Sequence, residues 1–323
     1  MNQVACSAPR PKLSIVIPVF NGAASIGHVV ERSLRVLGDQ EIVEVVLVND
    51  GSEDNSEAEC KELVERYSGR VVLLQLSRNF GEHNAVLAGM ALTQGKYVAV
   101  LDDDAQNPPE EVPRMLAELE SKQLDVVYGR YIERKHSLFQ QLGSWFNDRM
   151  ANVMLRKPKG LYLSSFKVAN RFLIDQIVKY QGPYPYIDGL ICRTTNRMGQ
   201  IDVRHDHRCA GKSNYTLRRL LRLWLNMFLG FSILPLRLSV VLGFVTSASS
   251  VVWLLMILID KLWITPSVTI GIPTVLACIV LFSGVQLIVL GTIGEYVGRV
   301  FLAGNGMPQY IVRYCTSKDR TDE

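Results

Sequence analysis

The strongest constraint on this chain is a set of short apolar runs that return at intervals: "LSIVIPVF" (13–20), "IVEVVLVND" (42–50), "VVLLQLS" (71–77), "KYVAVLD" (96–102) and "LDVVYG" (124–129). Each is β-branched and nearly continuous in hydrophobicity, the pattern of a strand covered on both faces in a parallel sheet. Helical stretches near 24–37, 55–67, 81–93 and 109–121 lie between them. The predicted fold is therefore α/β, assembled from βα units. Open sheets of this kind bind ligands beyond the carboxyl ends of their strands. That rule selects Asn21, Asn49 and Asp50, Ser77 to Asn79, and Asp102 to Asp104. No G-x-G-x-x-G follows the first run and no G-x-x-x-x-G-K-[ST] occurs, which argues against dinucleotide and P-loop chemistry.

"LDDDAQNPPE" crowds three aspartates against the end of a strand. Like charges in one place need a cation or protons to offset them. If the strand geometry persists, Asp102 and Asp104 share a face and Gln106 adds a neutral oxygen on the same side. Such hard oxygens suit Mg²⁺ or Mn²⁺. The same residues also read as an acidic loop before a helix starting near Pro108, with proline in the first turn and Glu110 and Glu111 favoured by the helix dipole. On the residues alone, both readings stand.

The chain has 323 residues, 48% hydrophobic content and a net charge of +4, so no global electrostatic field points to nucleic acid. Leu238 to Ile259 carries no charged residue, and a second uncharged run extends from Leu262 to Gly294. Each is long enough for a hydrocarbon core of roughly 30 Å. Two membrane helices are expected, at about 238–260 and 272–296. Arg218, Arg219, Arg222 and Arg237 precede them, and Arg299, Arg313, Lys318 and Arg320 follow, which orients both termini to the cytoplasm. "MNQVACSAPRPK" lacks the apolar core of a signal peptide. "TLRRLLRLWLNMFLGF" reads as an amphipathic helix lying in the headgroup region. The expected organisation is a cytosolic domain at 1–215, an amphipathic segment at 216–236, a membrane hairpin within 237–299 and a cytosolic tail at 300–323. The six cysteines form no C-x-x-C pair and read as reduced thiols. His83, His205 and His207 read as polar residues without chemistry, and Asp188 as a loop or cap residue.

"IPVFN", "VNDGSEDNS", "SRNFGEHNAVLAGM", "LDDDAQNPPE", "GRY", "AGKSNY" and "PLRL" occur in this order ahead of the two uncharged runs. With them the chain resembles the family 2 glycosyltransferases of GT-A fold and, more narrowly, the polyprenyl-phosphate glycosyltransferases, over about residues 13 to 310. The resemblance implies a Rossmann-like nucleotide-sugar domain followed by an interfacial helix and a transmembrane hairpin in the cytoplasmic (inner) membrane. It implies inverting transfer, of hexosyltransferase type, from a nucleotide sugar, UDP favoured, to undecaprenyl phosphate, by a homo-oligomeric enzyme. Pro18, Asn21, Asp50, Arg78, Asn79 and Asp102 would line the donor nucleotide. Asp102, Asp104 and Gln106 would hold Mg²⁺ or Mn²⁺ on the donor diphosphate. Arg130 and Arg134 would clamp the lipid phosphate, and Arg208, Lys212 and Ser213 would close over the phosphates. Catalysis would fall to Asp102, Asp104 and Arg130.

The chain departs from the family pattern at Gly22, where glutamate is common, at Ser165, where a carboxylate is common, and at Gln140, in place of an acceptor-side arginine. A processive polysaccharide synthase is the nearest rival reading, but it would carry Q-x-x-R-W and more spans. A catalytically silent membrane scaffold is the rival of another class.

Overall fold

The structure is a computed structural model and describes residues 12–38, 43–131, 158, 160–182, 185–204, isolated positions between 241 and 259, 272–306 and 308–316. The chain divides into two compact units, Met1–Tyr215 with Pro308–Glu323, and Thr216–Met307.

In the first unit the five apolar runs form β1 (Leu13–Val19), β2 (Val43–Asn49), β3 (Val71–Leu76), β4 (Tyr97–Val100) and β5 (Val126–Tyr131). Between them run α1 (Ile26–Leu37), α2 (Ser56–Arg66), α3 (Glu82–Leu92) and α4 (Val112–Ser121), the last preceded by a 3-10 turn at Pro109–Glu111. Then follow β6 (Lys167–Asn170), α5 (Arg171–Ile177), α6 (Ile187–Thr194), β7 (Met198–Val203) and, after the second unit, β8 (Val312–Thr316). The strands make one sheet in the order β7-β5-β6-β4-β1-β2-β3-β8.

Two expectations need correction. The sheet is mixed rather than parallel, because β6 runs antiparallel to both β4 and β5, and β8 antiparallel to β3. The residues expected as a tail are part of the fold: Ile311 accepts from Ser77 N at 2.9 Å, and Tyr314 donates to Glu57 at 2.7 Å. β8 thereby pairs the outer edge of β3, which would otherwise present unpaired backbone groups.

Successive strand residues alternate between two buried faces. Leu13, Ile15, Ile17, Val45, Leu47, Leu73 and Ala99 pack with α1, α2 and α4 around Ile26, Val30, Leu63 and Met115. On the opposite face every residue of α3 from Ala85 to Met90 is buried. It lies so close to the sheet that a Cβ on Gly89 would stand 2.5 Å from Val16 Cγ1 and 2.9 Å from Val48 Cγ2. That approach brings the first turn of α3 to the carboxyl ends of β1 and β2.

In the second unit α7 (Ile272–Gly304) runs for 33 residues and exposes Ile279, Leu287, Ile288, Leu290, Val297 and Phe301. Among the described residues no helix is long and apolar enough to cross a membrane. The expected span at 238–260 falls on isolated described positions, and many side chains of the span expected at 272–296 lie outside the description, as does the amphipathic segment at 216–236.

Gly89→Ala should destabilise the first unit by about 1–3 kcal/mol through overpacking against β1 and β2, seen as a lower urea midpoint without a change in slope.

Candidate active site

The carboxyl ends of β1 to β4 meet at one edge of the sheet, and their polar residues first knit the loops together. Asn21 has a left-handed backbone (φ 56°). Its Oδ1 accepts from Glu53 N at 2.9 Å, and its own N–H donates to Ser52 Oγ at 3.0 Å. Asp50 accepts from Phe80 N at 2.7 Å and Gly81 N at 2.8 Å. Burial raises the Asp50 pKa, and those two N–H groups oppose the rise. Gly51, at φ 63°, faces the Arg78–Asn79 backbone with no room for a Cβ, which is why "NDGS" needs glycine here. Pro18 is half-buried in register with Val48. Arg78 and Asn79 are exposed, the Arg78 guanidinium lying 4.8 Å from the Phe80 ring centroid. Of the residues expected to line the donor, Asn21 and Asp50 therefore shape the wall, while Arg78 and Asn79 are open to solvent.

β4 ends at Val100, so the three aspartates sit in a turn and not in an extended strand, which corrects the alternation argument for Asp102 and Asp104. The turn separates them differently. Asp103 bends back to β1 and accepts from Phe20 N at 3.0 Å. Its Oδ2 lies 2.5 Å from where a Cβ on Gly22 would be, so the glycine at 22 makes room for this carboxylate. Asp104 Oδ1 accepts from Gln106 N at 3.1 Å. Asp102 Oδ2 accepts from Ser165 Oγ at 2.6 Å. Burial raises the Asp102 pKa, the Ser165 hydroxyl lowers it, and the Asp104 charge raises it again. Glu110 and Glu111, the other acidic residues of this stretch, are engaged elsewhere. Glu110 pairs with Arg32 at 2.8 Å, and Glu111 with Arg114 and with Arg204 at 3.4 Å.

Among the described residues no three His, Cys, Asp or Glu side chains converge on a metal position. The chemistry of the turn still fits Mg²⁺ or Mn²⁺: Asp102 and Asp104 are two hard carboxylates close enough for the charge of one to act on the other. Magnesium-type ions bind through one or two carboxylates and complete their shell with water and substrate phosphates.

The other wall of the cleft carries charge that the sequence reading missed. Lys167, 4% exposed, forms an ion pair with Asp188 and stands 5.4 Å from the Tyr128 ring centroid. Tyr128 donates to Asp188 at 3.1 Å. Glu82, in the first turn of α3, is open to solvent, yet the surrounding protein and then the Asp102 charge push its pKa up to about 7. His83 packs edge-on against Tyr186 at 5.1 Å and burial pushes it down to about 4, so it is neutral at pH 7. The available signal for Lys167 was a single charge inside the apolar run "SSFKVAN".

Arg130 holds Asp202 with both arms of its fork, Nε to Oδ1 at 2.5 Å and Nη2 to Oδ2 at 2.9 Å, and the two residues are cross-strand partners. Its neighbour Tyr131 projects to the opposite face of β5, where its hydroxyl meets Asn107. Arg134, Arg208, Lys212 and Ser213 lie outside the described residues.

Comparison with known proteins bears on the family and the fold. Residues 14–178 match the model of the glycosyl transferase family 2. The chain is 31% identical over 312 residues to the undecaprenyl-phosphate 4-deoxy-4-formamido-L-arabinose transferase of Proteus mirabilis (strain HI4320), covering 94% of this chain and 93% of that protein. It is 31% identical over 317 residues to the transferase of the same name from Klebsiella pneumoniae (strain 342), covering 97% and 96%. Among solved structures, glucosyl-3-phosphoglycerate synthase from Mycobacterium tuberculosis, in complex with Mn²⁺, UDP-glucose and phosphoglyceric acid, superposes with a TM-score of 0.52 at 18% identity, over 68% of this chain and 78% of that one. At that identity the likeness shows the GT-A fold alone.

Two outcomes follow from the cleft's second wall. Lys167→Met should cost about 3–5 kcal/mol because it strands a buried carboxylate, and adding Asp188→Leu should restore most of the loss in urea titrations. The unfolded chain protonates His83 near its ordinary pKa of 6.5, before the folded chain does at about 4. His83 therefore makes stability fall as pH drops through that window, and His83→Phe should flatten the stability difference between pH 6.5 and 4.

Proposed function

The chain belongs to the family 2 glycosyltransferases, and from that membership we propose that it transfers 4-deoxy-4-formamido-L-arabinose, or a close relative, from a nucleotide sugar to undecaprenyl phosphate. The observation that carries this reading is the match along nearly the whole chain to transferases named for that sugar and that lipid. The sugar is then a pentose derivative and not the hexose expected from the sequence. UDP remains the favoured nucleotide.

The chemistry of the cleft supports the same reading. Asp102, Asp104 and Gln106 would hold Mg²⁺ or Mn²⁺, which when bound would offset the charge that gathers on the leaving diphosphate. The loops tied by Asp50 and Asn21 form a rigid wall for the nucleotide, with Arg78 and Asn79 at its rim. A lipid phosphate is already ionised, so it needs orientation more than a general base. Asp188 suits that economy, since Lys167 and Tyr128 fix its carboxylate as a structural anion. In-line attack by the phosphate oxygen on the anomeric carbon inverts its configuration.

The acceptor clamp falls to Arg134, Arg208 and Lys212 in the segments after β5 and β7, with the Ser213 hydroxyl as a neutral donor, because the Arg130 fork is taken up by Asp202. The second unit, with its uncharged runs and the apolar side chains exposed along α7, supports an anchor in the cytoplasmic membrane, where the acceptor resides. β8 belongs to the sheet of the first unit, so an anchor that crosses the bilayer must return to the side on which it entered.

The test is purified full-length protein in nanodiscs with undecaprenyl phosphate, Mn²⁺ and a panel of UDP-sugars, read by mass spectrometry of the lipid. A single added formamido-pentose is expected. A polymer, or no turnover with any donor, overturns the reading. Asp104→Ala should lower kcat on the order of 10²–10³-fold in the same assay.

A further inference from the structure

The cation reading leaves open what fixes Asp102 in a turn that three like charges would drive apart. Two elements hold it, one on each side. On the first, Ser165, just before β6, donates to Asp102 Oδ2 at 2.6 Å. A carboxylate at 165, common in the family, would add a fourth negative charge here. On the second, Asn107 is 1% exposed, and its Oδ1 accepts from the Tyr131 hydroxyl at 2.6 Å. This leaves Nδ2 on the side of the amide away from Tyr131, in the turn that carries Asp102 and Asp104. Flipping the amide would put an N–H in place of the oxygen that accepts from the Tyr131 hydroxyl, so that bond fixes the orientation. Nδ2 is nevertheless buried and has no hydrogen-bond partner. An orphaned donor in the interior is unfavourable by about 1–3 kcal/mol, and such groups are rare unless something satisfies them in another state.

We propose that Tyr131, Asn107 and Ser165 form a brace that sets the Asp102 carboxylate for a divalent cation, and that Asp102 takes up the waiting Asn107 N–H when the cation binds. This rests on the metal reading above and deepens it. Ser165 fixes one oxygen of Asp102. Tyr131 fixes the amide that receives the carboxylate as it turns. The remaining lone pairs of Asp102, with Asp104, are left for the ion. All three are positioning residues, since none need touch the substrate. Hydrogen-bonded partners of metal-ligating carboxylates typically change metal affinity 10–100-fold when removed.

The experiment measures Mn²⁺ binding by the full chain in nanodiscs with UDP present, from the loss of the free-ion EPR signal, beside thermal unfolding of the same samples. Tyr131→Phe and Ser165→Ala should each weaken Mn²⁺ binding about 10-fold or more, and Ser165→Thr should restore it by returning the hydroxyl. A purely structural role would lower the melting temperature and leave Mn²⁺ affinity alone. If wild type binds Mn²⁺ and both variants bind it equally well, the brace is overturned while the metal reading survives. If wild type binds none, both fall. Should Tyr131→Phe fail to fold, the Ser165 pair decides alone.

Discussion

Repulsion among acidic side chains at the carboxyl end of β4 is the constraint around which the cleft is arranged. Asp102 and Asp104 bear on each other, and Glu82 feels Asp102, Asp188 and Asp103. Water would screen such charges in a flexible loop, but this one is half-buried beneath α3 and β6. Each carboxylate therefore receives its own offset. Asp103 is turned onto the Phe20 N–H. Asp188 is matched by the buried Lys167. Asp102 receives the Ser165 hydroxyl. The charge that remains, on Asp102 and Asp104, is of the size and hardness that a small divalent ion neutralises.

This arrangement also explains an economy in the chemistry. Many acyl and glycosyl transfers need a carboxylate poised to remove a proton, and such groups are built by desolvation next to other charges. Here Asp188 has the surroundings of such a base, yet it is locked between an ammonium and a phenol. The anionic acceptor proposed above would make that lock harmless. The departures from the family pattern fit together in the same way: Gly22 leaves room for Asp103, and Ser165 replaces a charge by a hydrogen bond.

The parts of the fold legible in the sequence are those that local patterning determines. β1 to β5 are continuous apolar runs separated by helical periodicity, and they form where the pattern puts them. β6 is four residues with a lysine inside, β7 is half-exposed "MGQIDV", and β8 has exposed residues and follows a long apolar stretch. β6 is buried but too short to show a pattern, β7 and β8 lack the burial that gives a strand its signature, and the pairing of all three is decided by tertiary contacts. The site was legible in part for the same reason. The rule for strand ends selects loops, but it cannot tell a residue that meets a ligand from one that ties two loops, and Asn21 and Asp50 do the latter. Tyr131, Asn107 and Ser165 carry no local signal, because their roles exist only once β5, the acidic turn and β6 are side by side.

The position of β8 has a temporal consequence. β3 acquires its outer neighbour from a segment made after the whole of Thr216–Met307. At ordinary translation rates the nascent catalytic domain waits on the order of 10 s with that edge open. During this interval it is prone to pair with other chains. The ribosome thus delivers the apolar unit before the domain can be sealed, and completion of the enzyme reports that the segment between has been synthesised and brought back.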